Sequence, residues 1–172
     1  NVSVDISNFA FMAYVKSVAF YPDITYGVYS FFSEIHGVKS EVIPLKEDFT
    51  IDARDYKNKG KLVVIANPNA PTGIALSLLE IEEIVKRNPD SVVLIDEAYV
   101  DFGGESCYKL TEKYDNLLCV GTFSKSRSLA GGRLGFAIAN EKLISDLEKI
   151  KYSTNPYNIN RLTQVAGTAA VN

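Results

Sequence analysis

An α/β fold, with a mostly parallel sheet covered on both sides by helices, is what this sequence predicts. Three observations carry that expectation. Strand-like runs recur at 18–21, 41–43, 61–66, 92–95, 117–120 and 134–139. The later runs are apolar on both faces, as strands enclosed in a parallel sheet must be. Helical spacing fills most of the intervals between runs, so strand and helix largely alternate. With 172 residues, 47% of them hydrophobic, the chain is long enough to bury a core and fits one domain better than two.

Taken in order, Phe9 to Tyr14 is expected within a buried helix, and Val18 to Tyr21 as a short strand stopped by Pro22. Tyr26 to His36 has helical spacing that ends at Gly37, Glu41 to Ile43 is a strand, and Asp52 caps a short helix before Lys57. Lys61 to Ala66 is the next strand. Ser77 is a good N-cap and Glu80, three residues on, completes a capping box; the apolar positions Leu78, Leu79, Ile81, Ile84 and Val85 carry that helix towards Pro89. Val92 to Ile95, Leu117 to Val120 and Leu134 to Ala139 are strands, and Glu141 to Tyr152 and Ile159 to Val171 are helices. No repeat, low-complexity tract or Gly/Ser linker interrupts this order.

The composition excludes several functions. A net charge of −3 without a Lys/Arg cluster gives nucleic acid and anionic membrane no electrostatic attraction, so neither is an expected partner. No apolar run reaches the roughly 18 residues of a spanning helix, and the opening residues lack a basic stretch followed by an apolar one, so a soluble, cytoplasmic protein is expected. Cys107 and Cys119 stand apart without the paired spacing of a zinc site and read as reduced thiols; no metal site is expected. His36, the only histidine, reads as a surface helix residue far from any nucleophile motif. There is no Walker loop and no Gly-x-Gly-x-x-Gly. Glu82, Glu83, Lys86 and Arg87 lie at helical spacing and form a solvated face.

Ligands of parallel sheets gather at the carboxyl ends of strands. Asn67 to Gly73, Asp96 to Tyr99 and Thr122 to Lys125 each follow directly on a strand run. Lys125 offers an amine nucleophile, Asp96 a carboxylate, Tyr99 a phenol, Thr122 and Ser124 hydroxyls, and Arg133 a fork for two phosphate oxygens. Together they suit a small aromatic cofactor carrying an aldehyde and a phosphate, namely pyridoxal 5'-phosphate. Taken singly, each has a plainer reading. Lys125 is then a solvated lysine, Asp96 a turn cap, Tyr26 and Tyr99 core aromatics, and Arg133 half of a surface ion pair.

Phe9 to Ala13, Tyr21 to Gly27, Asn67-Pro68-Asn69-Ala70-Pro71-Thr72-Gly73, Asp96-Glu97-Ala98-Tyr99, Thr122 to Arg133 and Asn155 to Asn160 occur in one order along nearly the whole chain. In these motifs the sequence resembles the fold-type I pyridoxal-phosphate-dependent aminotransferases, and within them the histidinol-phosphate branch. The resemblance implies a three-layer α/β/α domain of the family's large-domain type, with a mixed sheet of about seven strands, one of them reversed. It also implies roles. Lys125 attaches the cofactor's aldehyde and then shuttles the proton from the substrate's α carbon to the cofactor's C4′. Asp96 pairs with the pyridine nitrogen, Tyr99 hydrogen-bonds the ring oxygen, Tyr26 stacks on the ring, and Thr122, Ser124 and Arg133 hold the phosphate.

Two places depart from the family's pattern. Ala70 stands where the family commonly has an asparagine that hydrogen-bonds the ring oxygen, and Asn1 to Asp5 keeps little of the loop whose N–H groups meet the phosphate. The expected activity is transamination between histidinol phosphate and 2-oxoglutarate in histidine biosynthesis, by a homodimer. The chain is expected to supply the cofactor domain alone, over residues 1–172, without the family's N-terminal arm or its C-terminal small domain. A folded domain without turnover and a decarboxylase or lyase of the same fold remain as alternatives.

Overall fold

Residues 3–14, 18–56 and 62–171 are described by the computed structural model. In it, strands β1 (Val18–Pro22), β2 (Lys39–Ile43), β3 (Leu62–Ala66), β4 (Val93–Asp96), β5 (Leu117–Thr122) and β6 (Gly135–Ala139) form one sheet in the order β2-β1-β3-β4-β5-β6. Neighbouring strands are parallel except β5 and β6, which run antiparallel. The mostly parallel mixed sheet with one reversed strand is therefore present, with six strands among the described residues rather than about seven. Helices α1 (Ser3–Tyr14), α2 (Val28–Ile35), α3 (Leu78–Arg87), α4 (Glu141–Thr154) and α5 (Arg161–Val171) complete the architecture.

Period-two alternation divides the core. Leu62, Val64, Leu94, Leu118 and Val120 join Phe9, Phe11, Tyr29 and Leu143 on one face of the sheet. Val63, Ile65, Val93, Ile95 and Cys119 join Ile81, Ile84 and Val85 of α3 on the other. All residues of β3, β4 and β5 are buried, whereas the outer strands β2 and β6 are largely not. The doubly apolar pattern thus holds only for strands with a neighbour on each side.

Where boundaries differ from the sequence expectation, a local contact explains it. α1 extends back to Ser3, the buried Ser3 and Ser7 interrupting the apolar run without interrupting the helix. α2 starts at Val28, with Gly27 as its N-cap, and ends in a Schellman turn. There Gly37 (φ 63°) and Val38 donate their N–H groups to Glu34 O and Ser33 O. The helix expected after Asp52 is a single 3₁₀ turn, Ala53–Asp55, capped by the Asp52 side chain on Arg54 N. Lys57 and Lys61, named in the expectations, lie outside the described residues. β4 and β5 continue past their apolar runs to Asp96 and Thr122, since Ala66, Asp96 and Val120 stay in register across three strands. β6 starts one residue later than expected, at Gly135. α4 extends to Thr154, where Ser153 and Thr154 hydroxyls donate to carbonyls one turn back. α5 begins at Arg161 because Asn160 accepts from Thr163 N as a cap.

Polar side chains close the edge of the sheet where β3, β4 and β5 begin. The Asn116 amide donates to Val85 O, Asn88 O and Ser91 O, and the Asn88 amide donates to Tyr56 O and Ile84 O. The capping box of α3 forms as its sequence requires, with Ser77 and Glu80 bonded reciprocally. Glu82 and Glu83 pair with Lys86 and Arg87 one turn on, and Glu82 also accepts from Lys113 and Tyr114. His36 is half-buried rather than a free surface residue, its Nε2 lying 2.7 Å from Asn8 Oδ1.

Candidate active site

The strand order reverses direction at β1, whose neighbours β2 and β3 lie on opposite sides, and such a reversal opens a crevice at the carboxyl ends of the strands. A pocket of about 180 Å³ occupies that end. Its walls come from segments after β1 (Tyr26, Tyr29), β3 (Ala66, Ala70), β4 (Asp96, Ala98, Tyr99) and β5 (Thr122, Ser124, Lys125, Arg133), with Ser3 and Val4 of α1. All seven residues expected at the site, Tyr26, Asp96, Tyr99, Thr122, Ser124, Lys125 and Arg133, line this one pocket.

Asp96 lies at its floor. Alternation along β4 puts it on the face of Leu94, towards α2, while Glu97 belongs with the opposite face. Its carboxylate accepts from Tyr29 O–H at 3.0 Å and from Ala98 N at 3.1 Å. Burial pushes the carboxyl above its ordinary range; the Tyr29 and Ala98 hydrogen bonds act against that, Glu97 adds to it, and Lys125 opposes it. Among the described residues no ion pair neutralises Asp96. A buried carboxylate with two hydrogen-bond donors and no cation of its own fits a ligand that brings a positively charged group.

At the mouth, Lys125 Nζ stands 5.1 Å from the centre of the Tyr99 ring and makes no hydrogen bond or ion pair among the described residues. Tyr99 and Tyr26 keep 36% and 43% of their surface exposed, so both rings present faces rather than filling the core. Tyr26 meets Tyr29 edge-on, with ring centres 5.8 Å apart. Thr122 Oγ1 donates to Ser124 Oγ and accepts from Ser124 N, which turns the chain sharply after β5. Arg133 is exposed, and its guanidinium donates to Ala130 O only, among the described residues. In the return from Lys125 to Arg133 the positive φ values fall on Ser128 (52°) and Arg133 (51°), not on Gly131 or Gly132. A Cβ at Gly132 would meet Leu129 Cγ at 2.9 Å, so any larger residue there would have to displace that side chain.

Asn69, next to the departure at Ala70, faces away from the pocket. Its amide donates to Ile24 O and Thr72 Oγ1, and its Oδ1 accepts from Thr25 O–H. Ala70 therefore contributes a methyl group where the family pattern has an amide. At the departure near the N-terminus, Ser3 and Val4 in the first turn of α1 do reach the pocket, while Asn1 and Val2 lie outside the described residues.

Sequence reasoning missed Tyr29. The available signal was its spacing of three from Tyr26, which places both on one side of a helical turn. It also missed that the separated Cys107 and Cys119 come together with Glu97, their ligand atoms within 4.8 Å of one another. Both thiols are free and buried, and the Glu97 carboxylate is engaged by Cys107 N–H and Ser106 O–H.

Comparison with known proteins gives a consistent picture. Residues 3–172 match the family model described as aminotransferase class I and II. The histidinol-phosphate aminotransferase of Brachyspira hyodysenteriae is 57% identical over 99% of this chain and 49% of its own length. The protein of the same name from Acinetobacter baumannii is 55% identical over 87% of this chain and 42% of its own. Among solved structures, the histidinol-phosphate aminotransferase of Clostridium acetobutylicum superposes with a TM-score of 0.85 at 27% identity, covering 99% of this chain and 51% of that one. The chain thus spans about half the length of the curated relatives it matches.

Proposed function

We propose, from the premise that this chain belongs to the aminotransferase class I and II family, that it forms the pyridoxal 5'-phosphate-holding domain of a histidinol-phosphate aminotransferase. The observation that carries this reading is the single pocket shared by Asp96, Lys125 and Arg133. In it Asp96 holds the ring nitrogen, Tyr26 and Tyr99 hold a ring face and the ring oxygen, and Arg133, Thr122, Ser124 and the first turn of α1 hold the phosphate. When bound, the cofactor supplies an electron-poor ring that accepts the electron pair left at the substrate's α carbon.

The chain's own residues do the rest. Lys125 would serve as the base, its Nζ taking the proton from the substrate's α carbon and handing it back to the cofactor. Asp96 keeps a proton on the ring nitrogen through opposite charge in a dry setting, where Coulomb attraction is far stronger than in water. The exposed Arg133 fork and the hydroxyl groups orient the phosphate, which fixes the ring against Lys125. The amino donor is histidinol phosphate, the acceptor is 2-oxoglutarate, and the assembly is a cytoplasmic homodimer. No helix among the described residues is long and apolar enough to cross a membrane.

A second reading, a folded domain without turnover, is favoured by the exposure of Lys125 at the pocket mouth. One experiment separates the readings. Pyridoxal 5'-phosphate is added to the chain, histidinol phosphate follows, and the cofactor's visible or near-ultraviolet band is recorded. Loss of the band, and its return with 2-oxoglutarate, is the result expected of the aminotransferase; a band that histidinol phosphate leaves unchanged supports the second reading.

A further inference from the structure

We propose that Tyr29 is a positioning residue for the cofactor: its phenol, donated to Asp96 Oδ2, aims that carboxylate at the ring nitrogen and keeps it a charged acceptor. The inference rests on the cofactor reading above and extends it to a pocket residue that acts through Asp96.

The geometry is specific. Tyr29 and Asp96 are 67 positions apart, yet their side chains meet at 3.0 Å inside the protein, where Tyr29 has no exposed surface and Asp96 has 4%. Only two donors reach the carboxylate among the described residues. Ala98 N takes Oδ1 and Tyr29 takes Oδ2. The backbone donor is fixed by the turn after β4, so the hydroxyl is the one that sets the rotation of the carboxylate plane. Tyr29 is itself held, because its ring packs against Tyr21 at 6.2 Å and Tyr26 at 5.8 Å. Tyr26 begins the turn that enters α2 and Tyr29 lies on α2, so one helical turn supplies both the ring-face aromatic and the partner of the nitrogen's carboxylate.

The charges around Asp96 explain why a donor is needed. Glu97, next in the chain, repels its negative charge, and Lys125 from the loop after β5 and the Tyr29 hydroxyl from α2 favour it. Burial is the dominant influence and favours the neutral acid. A phenol donating to the carboxylate resists that tendency. The phenol keeps its own proton, since burial and Asp96 both push its ionisation well above the ordinary tyrosine range.

The test compares the 172-residue chain with Tyr29→Phe, which keeps the ring and its packing. Each protein is titrated with pyridoxal 5'-phosphate and with its 1-deaza analogue, in which carbon replaces the ring nitrogen. Tyr29→Phe should bind the natural cofactor about tenfold more weakly, as expected for loss of a hydrogen bond to a charged group. It should bind the analogue as the wild type does, because the analogue offers Asp96 no N–H. The carboxyl-carbon NMR titration of Asp96 in the ligand-free protein should also move to higher pH in the variant. Equal losses for both ligands would make Tyr29 a packing residue, and unchanged affinity for the natural cofactor would remove its role; either overturns the proposal. A wild type with no Lys125-dependent band overturns the cofactor reading instead, a different signature.

Discussion

Asp96 and Glu82 are both carboxylates against the body of the protein, and their surroundings push them in opposite directions. Glu82, on the α3 side, accepts from Lys113 and Tyr114 and lies near Lys86; these partners hold it down to about 2. Asp96, at the other end of the sheet, has no cation of its own among the described residues, and burial holds it above the ordinary range. The same contrast separates the two ends of the strands. Where β3, β4 and β5 begin, polar groups are mostly spent on neighbours, Asn88 Oδ1 excepted. Where they end, Asp96, Lys125 and Arg133 have donors, charge and directions left over. Saturated polar groups mark what the fold needs, and unspent ones mark what a ligand is to complete.

Substitutions at the two ends should therefore separate stability from binding. Asp96→Asn is expected to weaken pyridoxal 5'-phosphate binding on the order of a hundredfold, since it removes one partner of a buried charge pair. Its effect on the ligand-free protein has the opposite sense. The folded state holds the Asp96 proton more tightly than the unfolded chain, so wild-type stability should fall as pH rises above the ordinary aspartate range. Asp96→Asn should lack that slope in urea unfolding measured across pH. A cofactor affinity that Asp96→Asn leaves intact would break the comparison.

Asn116→Ala should do the reverse. It strips one amide from three carbonyls at the far edge, and should cost about 2 kcal/mol in urea unfolding with cofactor affinity unchanged. Arg133→Ala comes next, with about tenfold weaker binding of pyridoxal 5'-phosphate and unaltered stability. Phosphate-free pyridoxal should bind Arg133→Ala and wild type alike, and a loss shared by both ligands would detach Arg133 from the phosphate. Ser77→Ala, which opens the α3 capping box, is the smallest at about 1 kcal/mol of stability, read as a lower urea midpoint with no change in the cofactor titration.

Much of the pocket was legible in the sequence because its residues sit at strand ends, and strand ends are announced by the change from apolar to polar. Asp96 follows Val93-Leu94-Ile95, and Thr122 follows the run from Leu117. The capping box of α3 and the pairs Glu82–Lys86 and Glu83–Arg87 were legible for a similar reason, since their partners lie within a single turn. Contacts made across the sequence were not. Tyr29 is one of ten tyrosines, and its spacing from Tyr26 does not show that it reaches Asp96 until α2 is folded over β4. Cys119 comes beside Glu97 through the register of β4 and β5, and Cys107, on neither strand, is held there by its N–H bond to the Glu97 carboxylate. Strand lengths were underestimated at Asp96 and Thr122, since a polar residue at a strand's end looks like a loop until a pocket is there to receive it.

The central claim is that Lys125 and Asp96 belong to one cofactor, with the amine as its attachment point. It is tested most directly by titrating pyridoxal 5'-phosphate into the wild-type chain and into Lys125→Ala and recording the absorbance. The expected result is a visible or near-ultraviolet band, distinct from free cofactor, that saturates in the wild type and never forms in Lys125→Ala. The same band in both proteins, or in neither, would contradict it.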